Sequence, residues 1–316
     1  MIYGAMGLGG EKGSATLTDD DKQLAFEALN AAREVGITTI DTADIYRAGR
    51  SDLAVAAAFE ADPSLKEHFR IQTKFSIRPA DDGRTPQTSL GSVTMYQQTP
   101  DWLKASLAGS LKRLGVDHID TLLIHRPDPL AEKQATAEAL QKLIDEKVIG
   151  RVGVSNMHTA QLEAWSKFIP ICANQLQLSL ARHAFVDVEV DFNTVREPTF
   201  GAGTIEWCLA HDVELQSWSP VARGLYVGDA PIDGDEAQRG AVARTRELVR
   251  ELAERYDVAS TTIVLAWVLR HPAKIRPVIG STNPQRIREC AAAKDVVLTR
   301  EEWYALYTAA RGVPVP

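Results

Sequence analysis

The sequence has few of the residues on which several classes of protein depend. It contains three cysteines, Cys172, Cys208 and Cys290, which are odd in number and far apart in a chain of 316 residues. This spacing predicts neither a disulfide framework nor a CxxC metal site, and it favours a reducing, cytoplasmic setting. We therefore expect no metal in the functional site.

Long apolar runs and a net positive charge are also missing. No run approaches the ~20 residues of a membrane-spanning helix. The opening "MIYGAMGLGG" lacks the basic head and long apolar middle of a signal peptide. The net charge is −7, whereas proteins that bind the phosphate backbone present a basic face. We expect a cytoplasmic protein that binds neither membranes nor nucleic acid.

What the chain does contain is an alternation of short apolar runs and helical patterns. With 45% hydrophobic and 24% charged residues, it is long enough for one large domain or two ordinary ones. Eight runs are typical of buried strands: residues 2–6, 36–41, 69–75, 118–125, 149–155, 171–177, 213–219 and 275–280. Between them, residues 18–36, 99–115, 132–150 and 245–258 show amphipathic helical patterns.

This alternation predicts a parallel sheet closed into a (β/α)8 TIM barrel, a single domain over residues 1–316. An open, doubly wound sheet is the alternative, and periodicity alone fits both. Residues 78–98 and 179–203 are long polar stretches that we interpret as loops after the third and sixth strands. Loops in these places lie over the active face of a barrel, so we expect them to govern substrate selection.

Residues of catalytic types stand at the ends of successive predicted strands. Asp41 ends the second strand, Lys74 lies near the end of the third, and His125 ends the fourth. Tyr46 follows in the loop after the second strand. Each has a structural alternative, as a turn cap, a solvated strand end, a core histidine or a loop cover. Because the strand ends of a parallel barrel meet at one face, their coincidence favours a catalytic group.

In this order and these contexts the four residues resemble the catalytic tetrad of the aldo-keto reductases. The segments "DTADIY", "LLIHRPDP", "GRVGVSN", "NQLQLS", "SWSP" and "VIGSTNPQRI" follow that family's order over nearly the whole chain. "HRPDPL" and "VLTREEW" resemble a bacterial subgroup of oxidoreductases. The resemblance implies a barrel that binds NADPH without a Rossmann domain and reduces an aldehyde or ketone to an alcohol.

The chemistry of carbonyl reduction explains these residue types. Hydride transfer leaves negative charge on the carbonyl oxygen, so a proton donor must stand beside it, and Tyr46 has that role in the resemblance. A phenol has a pKa near ~10, and a neighbouring ammonium such as Lys74 is expected to lower it. Asp41 is expected to hold Lys74 in place, and His125 to orient the carbonyl oxygen by a hydrogen bond.

The resemblance also implies a set of cofactor contacts. Three side chains match the ligands of the nicotinamide carboxamide, one tryptophan matches its stacking partner, and "SPVARG" matches the loop around the pyrophosphate. Ser281 and Arg286 match contacts to the 2′-phosphate, which suits the bidentate arginine fork. The expected set is Gly7, Leu8, Asp41, Ser155, Asn156, Gln175, Trp218, Ser219, Pro220, Val221, Arg223, Gly224, Gly280, Ser281, Arg286 and Glu289.

Several features leave alternatives open. "GLGGEKG" suggests a Rossmann fingerprint, but Lys12 stands in place of its third glycine. Gly280 stands where many family members have a phosphate-binding lysine, so we expect a clear but not extreme preference for NADPH. Because the sequence starts within the first predicted strand, we expect a dimer contact or mobility at residues 1–3.

Two other functions compete with the reductase. One is a nucleotide-binding barrel with a regulatory role, against which the intact tetrad argues. The other is a Schiff-base aldolase built on Lys74, which needs no nicotinamide. We expect a small-molecule carbonyl compound as the partner and a monomer or weak dimer as the state of assembly.

Overall fold

The computed structural model describes residues 1–11, 16–80, 93–191, 194, 199–229, 231–232 and 234–316. In these residues the strands are β1 (Ile2–Gly4), β2 (Thr39–Asp41), β3 (Arg70–Phe75), β4 (Ile77–Arg78), β5 (Met95–Tyr96), β6 (Ile119–Ile124), β7 (Ile149–Ser155), β8 (Ala173–Leu176), β9 (Glu214–Trp218) and β10 (Arg276–Ile279). All but β4 and β5 close into a barrel in the order β1, β10, β9, β8, β7, β6, β3, β2. Each barrel strand lies within one predicted run, which confirms the predicted (β/α)8 barrel; the open sheet is wrong.

The helices carry the start and stop signals that the sequence predicts. They are α1 (Asp19–Glu34), α2 (Arg50–Ala61), α3 (Pro63–His68), α4 (Pro100–Leu114), α5 (Lys133–Asp145), α6 (Thr159–Ser166), α7 (Ala184–Val190), α8 (Thr204–Ala210), α9 (Glu236–Tyr256), α10 (Ser260–Leu269), α11 (Pro284–Ala291) and α12 (Arg300–Arg311). Thr18 forms a capping box with Asp21 at the start of α1. Thr99 caps α4, and Gly115 ends it in the left-handed conformation.

The structure differs from the sequence-based prediction in three places. Helix α9 begins at Glu236, well before the predicted helical pattern, because Asp235 caps it there. Residues 179–203, predicted as a loop, include α7. Residues 78–98, also predicted as a loop, include β5 and the second residue of β4, and these two strands pair as an antiparallel ribbon. Residues 81–92, 192–193 and 195–198 of these two stretches lie outside the described residues. Contacts with other segments of the chain determine where α7 and the β4–β5 ribbon form, and local periodicity does not reveal such contacts.

The chain divides into two compact units: residues 2–174, here the N-terminal unit, and Met1 with residues 175–316, here the C-terminal unit. In the N-terminal unit, buried side chains such as Ile40, Ile71 and Leu122 come from neighbouring strands. In the C-terminal unit, Trp267 and Trp303 stack at 5.0 Å and exchange two N–H···O=C hydrogen bonds. No helix in the described parts of the chain is long and apolar enough to cross a membrane.

Candidate active site

Lys74 is the centre of a buried polar cluster in the N-terminal unit. Its ammonium donates hydrogen bonds to the Asp41 carboxylate at 2.6 Å, to the Tyr46 hydroxyl at 2.9 Å and to the Thr42 carbonyl at 2.8 Å. Asp41 ends β2 and Lys74 is the fifth of the six residues of β3, so neighbouring parallel strands supply the ion pair. Lys74 is 1% exposed and Asp41 2% exposed, which shields the pair from water and salt.

His125 completes the group of four predicted catalytic residues. It directly follows β6, and its ring lies edge-on to the Tyr46 ring with centroids 5.9 Å apart. Its Nδ1 atom is buried and has no hydrogen-bond partner among the described residues. Burial, Lys74 and Arg126 together hold the pKa of His125 well below its usual value. The imidazole is therefore neutral at pH 7 and has one N–H to donate.

Burial and neighbouring charges shift the pKa values of Tyr46 and Lys74 in opposite directions. Burial raises the pKa of Tyr46, and the opposing effect of Lys74 does not cancel it, so the net shift is upward. Burial by itself lowers the pKa of Lys74, but Asp41 and Tyr46 outweigh it, and the net shift is again upward. The predicted direction of the Lys74 effect on Tyr46 is present, but the expected net lowering is wrong because burial dominates.

Two residues of this cluster are absent from the sequence-based set. Gln72 donates a hydrogen bond to the second oxygen of Asp41 at 2.6 Å, and the Thr42 carbonyl accepts from Lys74. Gln72 precedes Lys74 by two positions in β3, so strand alternation places both side chains on the same face of the sheet. This two-residue spacing could have identified Gln72 from the sequence. No sequence pattern indicates the contact made by the Thr42 backbone carbonyl.

The predicted carboxamide ligands of the N-terminal unit lie next to His125. Ser155 ends β7 and is buried, and Asn156 follows it with a left-handed φ of 59°. The Asn156 amide donates to the Ser155 hydroxyl at 2.7 Å and to the His125 carbonyl at 3.4 Å. This side chain thus connects the end of β7 to the residue that ends the predicted fourth strand.

The glycine-rich segment after β1 has a packing role. Gly7 ends a 3-10 turn, and the carbonyl of buried Leu8 accepts a hydrogen bond from the Ser51 hydroxyl at 3.0 Å. Gly9 has a φ of +94°, and a Cβ there would lie 2.7 Å from the Arg50 backbone. Glycine is therefore required for close approach to the start of α2. The barrel and this packing exclude the Rossmann alternative; Lys12 lies outside the described residues.

The C-terminal unit contains the other predicted cofactor residues. Buried Gln175 of β8 donates through its side-chain amide to Gln216 at 3.0 Å, and half-buried Trp218 ends β9. The following segment 219–224 turns sharply, with positive φ at Ser219, Ala222, Arg223 and Gly224. Of its other members, Pro220 is buried and Val221 is half-buried. Within this turn the Ala222 N–H donates to the Ser219 carbonyl at 2.9 Å, and the Gly224 N–H donates to the Val221 carbonyl at 2.8 Å. The exposed Arg223 side chain is a charged donor suited to an anion.

The predicted 2′-phosphate ligands flank the start of α11. The Ser281 hydroxyl accepts from the Asn283 N–H at 3.2 Å, and Asn283 caps the helix by accepting from the Arg286 N–H at 3.1 Å. Gly280 and Arg286 are exposed. One turn later, the Glu289 carbonyl accepts from the Thr262 hydroxyl at 2.7 Å. A helix N-terminus with an exposed arginine is a favourable setting for a phosphate.

The chain is similar to known proteins over nearly its whole length. The model of the Aldo/keto reductase family matches residues 1–310. The chain is 32% identical over 315 residues to 6-dehydroglucose reductase of Agrobacterium fabrum, covering 100% of this chain and 95% of that protein. Among solved structures, glycerol dehydrogenase AKR11B4 from Gluconobacter oxydans superposes with a TM-score of 0.81 at 21% identity, covering 100% of this chain and 92% of that one.

A second solved structure is an aldo-keto reductase from Klebsiella pneumoniae in complex with NADPH. Its TM-score is 0.70 at 23% identity, with 100% of this chain and 91% of that one covered. At these identities the two solved structures establish the shared fold. The family match and the full-length relative establish more: the chain belongs to the aldo/keto reductase family of NAD(P)H-dependent oxidoreductases.

Proposed function

We propose that this protein uses NADPH to reduce an aldehyde or ketone to an alcohol, with Tyr46 as the proton donor. The observation that carries the proposal is the position of the Lys74 ammonium, 2.9 Å from the Tyr46 hydroxyl and 2.6 Å from the Asp41 carboxylate. A lysine held in this way stabilises the tyrosinate that remains once the phenol has given up its proton.

Each residue of the cluster then has one task. Bound NADPH supplies a hydride to the carbonyl carbon. As charge develops on the carbonyl oxygen, Tyr46 transfers its phenolic proton to that oxygen, and the neutral His125 donates a hydrogen bond that orients it. Lys74 stabilises the resulting tyrosinate, and Asp41 keeps Lys74 charged and in place. A proton from solvent restores the phenol.

The residues expected to hold NADPH suit a dinucleotide. Asn156 and Gln175 have amide groups that can donate to and accept from a carboxamide. The sharp turn of residues 219–224 is proposed to wrap the pyrophosphate, with the exposed Arg223 as a charged donor. Arg286 and Ser281 at the start of α11 supply a charge and a hydroxyl for a 2′-phosphate. These roles belong to the proposal.

The substrate is proposed at the level of a class. The full-length relative is named 6-dehydroglucose reductase, so sugar-derived aldehydes belong in the first set of compounds to test. The two stretches after the third and sixth barrel strands, residues 78–98 and 179–203, are expected to decide among these compounds.

The test is steady-state NADPH oxidation with a panel of simple aldehydes, ketones and sugar aldehydes. We expect turnover with at least one aldehyde that is lost in Tyr46→Phe while NADPH binding is retained. Binding of NADPH with no turnover across the panel favours the regulatory alternative. An adduct on Lys74 that borohydride traps without any nicotinamide favours the aldolase.

A further inference from the structure

A second, partly buried polar network lies beside the proposed catalytic cluster and is not used by the proposed mechanism. It joins the segment that carries Tyr46 to helix α4. We call it the Asp44 network, and its members are Asp44, Asp52, Ser106, Ser110 and Arg113. All five belong to the N-terminal unit.

Asp44 has the least satisfied carboxyl group of this network. One oxygen accepts from the Ser106 hydroxyl at 2.6 Å. The other oxygen is buried and has no hydrogen-bond partner in the described parts of the chain. A carboxylate can accept at both oxygens, so an orphaned buried oxygen disfavours the charged form. The neutral acid keeps the Ser106 contact, because its O–H can donate to the serine oxygen.

The charged neighbours of Asp44 do not compensate for this deficit. Arg113 of α4 donates to the Asp52 carboxylate at 2.9 Å and 3.2 Å, but to Asp44 only at its backbone carbonyl, at 3.3 Å. The arginine charge is therefore shared with a second buried acid. Burial, opposed by Ser106 and reinforced by Asp52, raises the pKa of Asp44 to about 7. The smaller effects of Arg113 and the Ile45 N–H act in the opposite direction.

Asp44 is also connected to the catalytic cluster. It lies two residues before Tyr46, and its backbone N–H donates to the Lys74 carbonyl at 3.3 Å. Its negative charge opposes the effect of Lys74 and contributes to the raised pKa of Tyr46. A neutral Asp44 removes that contribution. The charge state of one carboxyl thus acts on the tyrosine that the proposed function uses as its acid.

We propose that Asp44 is a positioning residue whose protonation sets how readily Tyr46 gives up its proton. The inference rests on the proposed function for its catalytic consequence. Above neutral pH, Asp44 is charged and the Tyr46 proton is held more tightly. Below neutral pH, Asp44 is neutral and Tyr46 gives up its proton more readily than it does above neutral pH. Reductive turnover should therefore rise as the pH falls through neutrality, in addition to any effect of proton supply.

The charged and titratable groups around Asp44 come from α2, α4, β3, β2 and the turn after β2. They are Asp52 of α2, Arg113 of α4, and Lys74 of β3 with its partners Asp41 and Tyr46. Asp52 is the other buried acid, and its pKa is raised by burial despite Arg113. The effect of substituting Asp44 must therefore be compared with the effect of a variant in which both Asp44 and Asp52 are kept.

The experiment is the pH profile of kcat in Asp44→Asn and Ser106→Ala. In Asp44→Asn the inflection of the kcat profile near neutral pH should disappear. The fall in kcat at alkaline pH should move to lower pH, because the negative charge that raises the pKa of Tyr46 is gone. Ser106→Ala keeps the acid but removes a hydrogen bond that favours its charged form, so the inflection should move to higher pH. A profile in Asp44→Asn that keeps the wild-type shape and changes only in height overturns the proposal.

A readout without substrate separates this inference from the proposed function. The ultraviolet absorbance of the Tyr46 phenolate, taken as the difference between wild type and Tyr46→Phe, should titrate at lower pH in the Asp44→Asn background. This shift is expected even if no carbonyl compound turns over. If Asp44→Asn does not fold, NMR titration of the wild-type carboxyl decides: a value near the ordinary ~4 overturns the proposal.

Discussion

The two units of the chain contain predicted functional residues of opposite character. In the N-terminal unit, Asp41, Lys74 and His125 are each at most 9% exposed, and the first two contact each other directly. In the C-terminal unit, Arg223, Gly280 and Arg286 are exposed, and the 219–224 turn has unusual backbone conformations. In the first set, the Asp41 carboxylate and the Lys74 ammonium satisfy each other within the protein, whereas the second set presents exposed arginine side chains to a ligand.

The difference follows from the cost of burying charge. A buried ion must be paired and hydrogen-bonded, so a catalytic cluster that excludes water has to satisfy itself. An anion-binding surface has the opposite requirement, because donors already used within the protein cannot bind a phosphate. Substitutions in the first set should therefore damage stability and chemistry together, and those in the second should change affinity alone.

Lys74→Met should have the largest effect. It leaves the Asp41 carboxylate buried without its ionic partner, which typically costs ~3–5 kcal/mol in the free energy of unfolding. It also removes the proposed stabiliser of the tyrosinate, so we expect kcat to fall by ~10²-fold or more. Urea denaturation and turnover measure the two losses. Lys66→Met, at an exposed lysine, is the matched control, and an equal loss there would contradict the assignment.

Tyr46→Phe should separate chemistry from binding. It removes the proposed proton donor, so we expect kcat to fall by ~10²-fold or more with little change in the Kd for NADPH. Because Tyr46 and Lys74 act as a unit, the double variant should be hardly slower than either single variant. Near-wild-type turnover in Tyr46→Phe, or fully additive losses, would show that another group is the acid.

Arg286→Ala should affect the C-terminal unit in the opposite way. We expect unchanged stability and kcat, and a loss of NADPH affinity of roughly 10- to 150-fold with no change for NADH, the scale of one charge-assisted hydrogen bond. Calorimetric Kd values for both cofactors measure it. Arg288→Ala, on the same helix, is the control. Equal weakening of both cofactors, or a wild-type preference for NADH, would mean that Arg286 does not contact the 2′-phosphate.

Tyr307→Phe tests whether a buried network without a proposed catalytic role behaves differently. The Tyr307 hydroxyl donates to the Asp187 carboxylate at 2.6 Å, and this bond joins α12 to α7. We expect the free energy of unfolding to fall by ~1.5 kcal/mol at pH 7, the lower end for a hydrogen bond to a charged group. Turnover should stay within a few-fold of wild type. A loss of activity as large as in Tyr46→Phe would give this network a catalytic role.

The loss of stability in Tyr307→Phe should depend on pH. Burial by itself raises the pKa of Asp187, but hydrogen bonds from His183 and Tyr307 outweigh it, and the pKa is lowered. A lowered carboxyl pKa contributes stability above the unfolded value of ~3.9 and loses it as the pH falls through the folded value. The stability gap between Tyr307→Phe and wild type should therefore narrow in acid. A gap that is constant down to the pH of acid unfolding would assign the loss to packing.

Much of the fold was predictable from the sequence because it depends on local pattern. The eight short apolar runs each contained one barrel strand, and the amphipathic patterns located α1, α4, α5 and the last part of α9. Strand ends also determined which catalytic residue types share one face of a parallel barrel, which is why Asp41 and Lys74 were expected to pair. Helix α7 was missed, since Tyr307 and Arg311 of a distant helix contact Asp187 and Asp191 there.

Sequence alone thus determined which residues the chain has for carbonyl chemistry, and the order in which the strands present them. Only the tertiary structure decided how those residues titrate. The net direction of the Tyr46 shift depends on how deeply the phenol is buried, and the state of Asp44 depends on Ser106 and Arg113, which lie more than sixty positions away. Burial and long-range contacts arise only when distant segments pack, so no local pattern encodes them.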